Sequence, residues 1–202
     1  MCSKYCAINL RSYLDSESSS FMPEDELHSL LAEFSTPQNE DVEQFLHRNA
    51  VLFTQKSQSV TYLVFNNETA DFVGYFTLTV KPLTIKADCI SKSSAKKLSR
   101  VSILDEEDGS YTASAYLIAQ LGKNYAIDKE RRIEGKELLS LAMQIIKSMQ
   151  YAVGGMLEFL ECEDNPFLLS FYGENGFKPF ATRQASDGNG NAHTLHQLLK
   201  FI

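Results

Sequence analysis

Apolar and polar positions follow two rhythms along this chain, and the rhythms mark out its elements. Pro23 to Phe34 places Leu27, Leu30, Leu31 and Phe34 at helical spacing. Glu24, Asp25 and Glu26 stand in its first turn, where the positive end of the helix dipole favours acid. Asn39 or Asp41 can cap a second helix through Val42, Phe45, Leu46, Ala50 and Phe53. Val60 to Phe65 and Asp71 to Val80 read as strands joined by the turn Asn66-Asn67-Glu68-Thr69, an antiparallel hairpin. Tyr116, Leu117, Ile118, Ala119 and Leu121 form a further strand. A polar turn holding Arg131, Arg132, Glu134 and Gly135 follows it. The period then changes to that of a helix through Leu138, Leu139, Leu141, Ala142, Ile145, Ile146 and Met149. Met156, Leu157, Phe159 and Leu160 make a strand that meets Asn165-Pro166, a helix start. The short helix beyond carries Phe167, Leu168, Phe171 and Tyr172 and stops at Asn175-Gly176. A strand through Phe180, the turn residues Ser186 to Asn191 and a last strand His193 to Phe201 read as a terminal hairpin.

Two stretches are less periodic. Met1 to Ser20 offers only Ile8, Leu10, Tyr13 and Leu14 as anchors and reads as a short extended or poorly ordered lead-in. Lys81 to Arg100 reads as a mobile loop or short helix, and it holds the one concentrated run of basic residues. Asp105 to Ser110 is an acidic turn. At 202 residues the expectation is a single domain, with residues 1–22 as its lead-in.

Composition narrows the classes. Charged residues make up 22% and hydrophobic residues 44%, as in ordinary globular proteins. A net charge of −7 argues against general affinity for nucleic acid or anionic membrane. The four cysteines, Cys2, Cys6, Cys89 and Cys162, lack metal-ligand spacing, so no metal is expected. The absence of a leader or an apolar span points to a cytoplasmic protein with reduced thiols, Cys162 being a buried, inert one.

Chemistry enters at the strand-to-helix turns. The first N–H groups of a helix lack intrahelical partners and carry the positive end of its dipole, so the turn at Arg132 to Glu137 is a candidate anion site. Gly135 would let the backbone approach an anion and take positive φ, while Arg132 and Lys136 would add charge. On residue types alone the same turn also fits a plain loop with a solvated basic face, and Tyr172 an aromatic staple under its helix.

The two turns together resemble the signatures of the GNAT N-acetyltransferase superfamily. Gln/Arg-x-x-Gly-x-Gly/Ala lies over Arg132-Ile133-Glu134-Gly135-Lys136-Glu137, with Glu137 departing from the small residue at its end. The second signature, an Asn before a helix ending in Tyr-x-x-x-Gly-Phe, lies over Asn165 and Tyr172 to Phe177. The resemblance implies an α/β (α+β) fold, a mixed central sheet with a splayed pair of parallel strands flanked by helices. It implies acetyl-CoA as acetyl donor, with its pyrophosphate at Arg132, Ile133, Glu134, Gly135, Lys136 and Glu137. Asn165 belongs to the same cofactor set. The pantetheine arm would pair with backbone at Asn124, Tyr125, Ala126 and Ile127. Tyr172 would be the acid toward the departing thiolate. No base is identified: Gln120, Glu161 and Glu163 stand at strand ends, and the four histidines lie outside both motifs.

For the acceptor, 26 acidic against 19 basic side chains place a small-molecule or protein amine ahead of nucleic acid. Val42 to Leu83, including Val73-Gly74-Tyr75-Phe76, resembles the superfamily's toxins that acetylate aminoacyl-tRNA, which makes that the alternative acceptor. A non-catalytic acyl-CoA-binding module is a further reading, and a homodimer is compatible with all of them.

Overall fold

The computed structural model describes residues 3–186 and 192–202. The chain divides into two compact units, Met1–Thr79 with Ile118–Ile145, and Val80–Leu117 with Ile146–Ile202.

In the first unit, strand β1 (Tyr5–Asn9) pairs antiparallel with β2 (Val60–Asn66), from Tyr5 opposite Asn66 to Asn9 opposite Tyr62. Tyr5–Asn9 of the lead-in is therefore a paired strand. Leu10 and Tyr13, on and beside the short helix α1 (Arg11–Leu14), are buried in the unit's core. β2 pairs in turn with β3 (Phe72–Lys86), with a register shift at Val64/Phe65. β3 neighbours β5 (Ser110–Lys123). Gly74 permits that closeness, since a Cβ there would meet the Gly122 carbonyl oxygen at 2.6 Å; Gly122 in turn makes room for Val42 and Phe34, which its own Cβ would meet at 2.7 and 2.9 Å. Helix α2 (Glu24–Ala32) buries Leu27 and Leu31. Asn39 accepts from Val42 N at 3.1 Å and so caps α3 (Glu40–Gln44), which continues through a π-turn at Phe45–Asn49 into α4 (Ala50–Gln55). Phe34, Phe72 and Tyr75 meet at the centre, the Phe34 and Tyr75 rings edge-on at 5.0 Å.

In the second unit, the stretch Lys81 to Arg100, expected as a mobile loop or short helix, holds both a strand end and a short helix. β3 runs on to Lys86, and helix α5 (Lys92–Leu98) follows, capped by Ser91, whose Oγ accepts from Ser94 N at 3.2 Å. The helix is legible only through its cap, because Leu98 is its one buried residue. Strand β4 (Leu104–Asp105) pairs with the start of β5 across the acidic turn, where Asp105 accepts from the amides of Glu107 and Asp108.

Helix α6 (Gly135–Val153) joins β5 to β6 (Leu157–Glu163), its neighbour in the sheet; a helical crossover between adjacent strands makes them parallel. After α7 (Pro166–Glu174), β7 (Lys178–Ser186) and β8 (Ala192–Phe201) form the terminal hairpin, and β8 lies antiparallel between β6 and β7. The turn expected between β7 and β8 falls on 187–191, outside the described residues. Leu83, Ile85, Leu98, Tyr111, Leu157, Phe159, Phe180 and Leu199 fill this unit's core.

Candidate active site

The motif residues fall in both units. In the first, the turn after β5 is organised by the side chain of Asn124, a residue that the sequence singles out only for its backbone. Asn124 is fully buried at the end of β5, and every polar group of its side chain is engaged. Its Oδ1 accepts from Ser35 N and Ala126 N, both at 3.0 Å, and its Nδ2 donates to the carbonyls of Glu33 (3.0 Å) and Phe72 (2.9 Å). Partners up to 91 positions away explain why no local pattern reveals it.

Asn124 also changes the pantetheine expectation. Asn124 N donates to Val73 O at 2.9 Å, Tyr125 N to Ser35 O at 2.7 Å, and Ala126 N to Asn124 itself. Three of the amides expected to receive the arm are thus already paired. Among the described residues only Ile127 N of that stretch is left over.

Arg132 is likewise engaged rather than presented to solvent. Its Nε donates to Ile127 O at 3.0 Å, a second guanidinium nitrogen donates to Tyr125 O at 2.9 Å, and the group lies 4.9 Å over the Tyr125 ring. It folds the turn back on itself. Arg131 is held by both carboxylate oxygens of Asp71. Ile133 is buried and anchors the turn.

Gly135 opens α6 without positive φ, contrary to expectation; among the described residues the glycines with positive φ are Gly109, Gly154, Gly155 and Gly176. What Gly135 contributes is the missing side chain. Glu137 closes the turn, its Oε2 accepting from Glu134 N at 3.2 Å. This is the carboxylate half of a capping box, which sets an internal anion at the helix start. The ladder of α6 begins with Leu138 N to Glu134 O, so the amides of Gly135, Lys136 and Glu137 have no intrahelical acceptor.

In the second unit, Asn165 caps α7 by accepting from Phe167 N at 2.9 Å, with Pro166 in the first turn, where its missing N–H costs nothing. Tyr172 packs edge-on against Phe171 and Phe177, at 5.0 and 6.1 Å. Its side chain is buried, and its hydroxyl makes no hydrogen bond among the described residues. Burial, with a smaller contribution from the neighbouring Cys162, pushes the phenol far above its ordinary value, so it stays protonated. The Cys162 thiol is itself raised to about 11 by burial and the charges of Glu163 and Asp164, which makes it inert as a nucleophile.

Glu161 is not available as a base. Burial works against its ionisation, but Arg183 grips both its oxygens and Gln197 donates at 2.7 Å, and these bonds hold its carboxyl below the ordinary range. His196 stands opposite Cys162 in the β6–β8 ladder and pairs with Asp164 at 3.1 Å, one residue before the Asn165 cap. Among the described residues no group of three metal-ligating side chains occurs.

No protein-family model matches the chain, and no curated protein sequence matches it. Solved structures do. AtaT complexed with acetyl-methionyl-tRNAfMet is similar at 20% identity and TM-score 0.58, over 81% of this chain and 85% of that one. A tyrosine-to-phenylalanine mutant of the AtaT toxin, bound to acetyl-CoA and the C-terminus of the antitoxin AtaR, is 16% identical at TM-score 0.58, over 98% and 94%. A tyrosine-to-phenylalanine mutant of KacT is 19% identical at TM-score 0.56, over 82% and 86%. At these identities the likeness establishes the fold, which is the GNAT fold of these structures.

Proposed function

We propose that this GNAT-fold chain is an acetyl-CoA-dependent N-acetyltransferase whose acceptor is the amino group of an aminoacyl-tRNA. The observation that carries the acceptor is the fold shared, over four-fifths of the chain, with AtaT in complex with acetyl-methionyl-tRNAfMet. The two motifs support the reaction type. Net charge had favoured a small-molecule or protein amine, but it governs long-range association; where a polyanion settles depends on local groups.

In this reading the pyrophosphate of acetyl-CoA takes the first-turn amides of α6, and Arg132 works indirectly by holding the turn in shape. The pantetheine arm uses the Ile127 amide. The amine nitrogen attacks the acetyl carbonyl carbon, a C–N bond forms, and the C–S bond of the tetrahedral intermediate breaks toward CoA. Tyr172 donates a hydrogen bond to the departing thiolate. A thiol ordinarily titrates near 8.5 and Tyr172 lies above the ordinary phenol value near 10, so complete transfer from the phenol is uphill. The proton that ends on sulfur is the one lost by the amine, and Tyr172 stabilises the charge in transit.

The test is incubation with acetyl-labelled acetyl-CoA and a pool of aminoacylated tRNA. The expected result is label in the tRNA fraction that mild base releases as N-acetyl amino acid. Label on free amines or protein, with none on tRNA, would return the acceptor to the other class. Binding of acetyl-CoA with no transfer to any amine would leave the non-catalytic acyl-CoA-binding module.

A further inference from the structure

The basic residues are not spread evenly, and the second unit gathers several of them around one groove. The groove, of about 380 Å³, lies between α5 and the β7–β8 hairpin; Ser94, Lys97, Lys178, Pro179, Lys200 and Phe201 are among its lining. α5 and the residues after it also expose Lys92, Lys96 and Arg100. Among the described residues no carboxylate lines the groove. Asp88 and Glu174 are exposed, one and two positions before the lining residues Cys89 and Gly176, and Glu158 is fully buried, with its Oε1 3.0 Å from Lys200 Nζ. That pair, and the Phe177 ring 5.3 Å from the ammonium, fix Lys200 in place. Lys97 is held over the Phe201 ring at 5.0 Å. Among the described residues neither Lys97 nor Lys178 forms an ion pair.

Of these three groove lysines only Lys200 has a carboxylate partner among the described residues, which leaves the ammonium groups of Lys97 and Lys178 to an external anion in a chain whose net charge is −7. Cations in the groove and along α5 suit a repeating anion better than a single one. We propose that this groove binds the phosphodiester backbone of the RNA acceptor; the inference rests on the aminoacyl-tRNA reading above.

The test uses the full chain and bulk tRNA, with Lys97→Glu/Lys178→Glu as the groove variant and Lys56→Glu/Lys147→Glu as a control of equal net charge. The groove variant should bind tRNA at least about tenfold more weakly at physiological salt, with the slope of log K against log salt smaller by about one to two. Its KM for aminoacyl-tRNA should rise in step, while acetyl transfer to a small amino acid ester continues. The control should stay within about twofold of wild type. Circular dichroism confirms that both variants fold, and Lys97→Ala/Lys178→Ala, with a smaller loss in the same direction, repeats the test without added acid. An equal loss in the control, or wild-type affinity and slope in the groove variant, overturns the groove while leaving the acceptor reading intact. A wild-type chain that neither binds nor acetylates aminoacyl-tRNA overturns both. Polyglutamate that displaces tRNA from the groove at equal charge concentration overturns the assignment to RNA in favour of an acidic protein partner.

Discussion

The turn before α6 and the helix α7 carry one motif each, and they use their residues in opposite ways. At the turn, the charged side chains are engaged in structure: Arg131 with Asp71, Arg132 with the carbonyls of Tyr125 and Ile127, Glu137 with the Glu134 amide. What remains for a ligand is the first-turn backbone and Lys136, which is exposed and forms no ion pair among the described residues. At α7 the cap and core are made by Asn165, Phe171 and Phe177, and the side chain with chemistry, Tyr172, keeps a hydroxyl without a partner among the described residues. A motif's charged residues can therefore build a site rather than fill it, and substitutions should separate the two uses.

The largest effect is expected at the chemical end. Tyr172→Phe should lower turnover by ~10²–10³-fold, the usual weight of a donor that stabilises charge in the transition state, while its affinity for acetyl-CoA stays within about twofold. Thiol release measured beside calorimetry checks both halves. Unchanged turnover would make Tyr172 a packing residue only.

Next comes the organiser of the turn. Asn124→Ala leaves two carbonyls and two amides without their partner, and buried polar groups orphaned in this way cost ~1–3 kcal/mol each before water and relaxation recover part of it. We expect a loss of about 3 kcal/mol in denaturant unfolding and weaker acetyl-CoA binding. A loss below about 1 kcal/mol would mean that the turn holds itself.

These contrasts also explain what the chain made legible. The helix starts and stops were readable, because a cap is local: Asn39, Asn165 and the Asn175-Gly176 stop each act within a few residues. The engagement of the charges was not. Arg131 meets Asp71 across 60 positions, Arg183 meets Glu161 across 22, and Asn124 meets Ser35 across 89, so spacing along the chain carried no signal. β1 stayed hidden for the same reason, because its pairing partner β2 lies far along the chain.

A smaller effect is expected from the internal anion. Glu137→Gln keeps an acceptor for the Glu134 amide but removes a charge at the helix start, where such charges are worth ~0.3–1 kcal/mol, so acetyl-CoA should bind about two- to fivefold more tightly. Weaker binding in calorimetry would show that the carboxylate supports the site instead of competing for it.

The smallest is a pH effect at Glu161. A carboxyl whose folded value is depressed adds stability that is complete above its ordinary value near 4.5 and is lost as pH falls through the folded value. Between about pH 5 and about pH 3 the wild-type melting temperature should therefore fall more steeply than that of Glu161→Gln. Parallel curves would remove the Arg183 and Gln197 bonds from the stability of this unit.

The division between a backbone that binds and a side chain that reacts is tested most directly by titrating acetyl-CoA into Gly135→Val and Tyr172→Phe side by side, with folding of each verified by thermal melting. The account predicts that Gly135→Val, which sets a branched side chain among the first-turn amides of α6, loses at least about tenfold in affinity, while Tyr172→Phe binds as wild type does. Wild-type affinity in a folded Gly135→Val would contradict it.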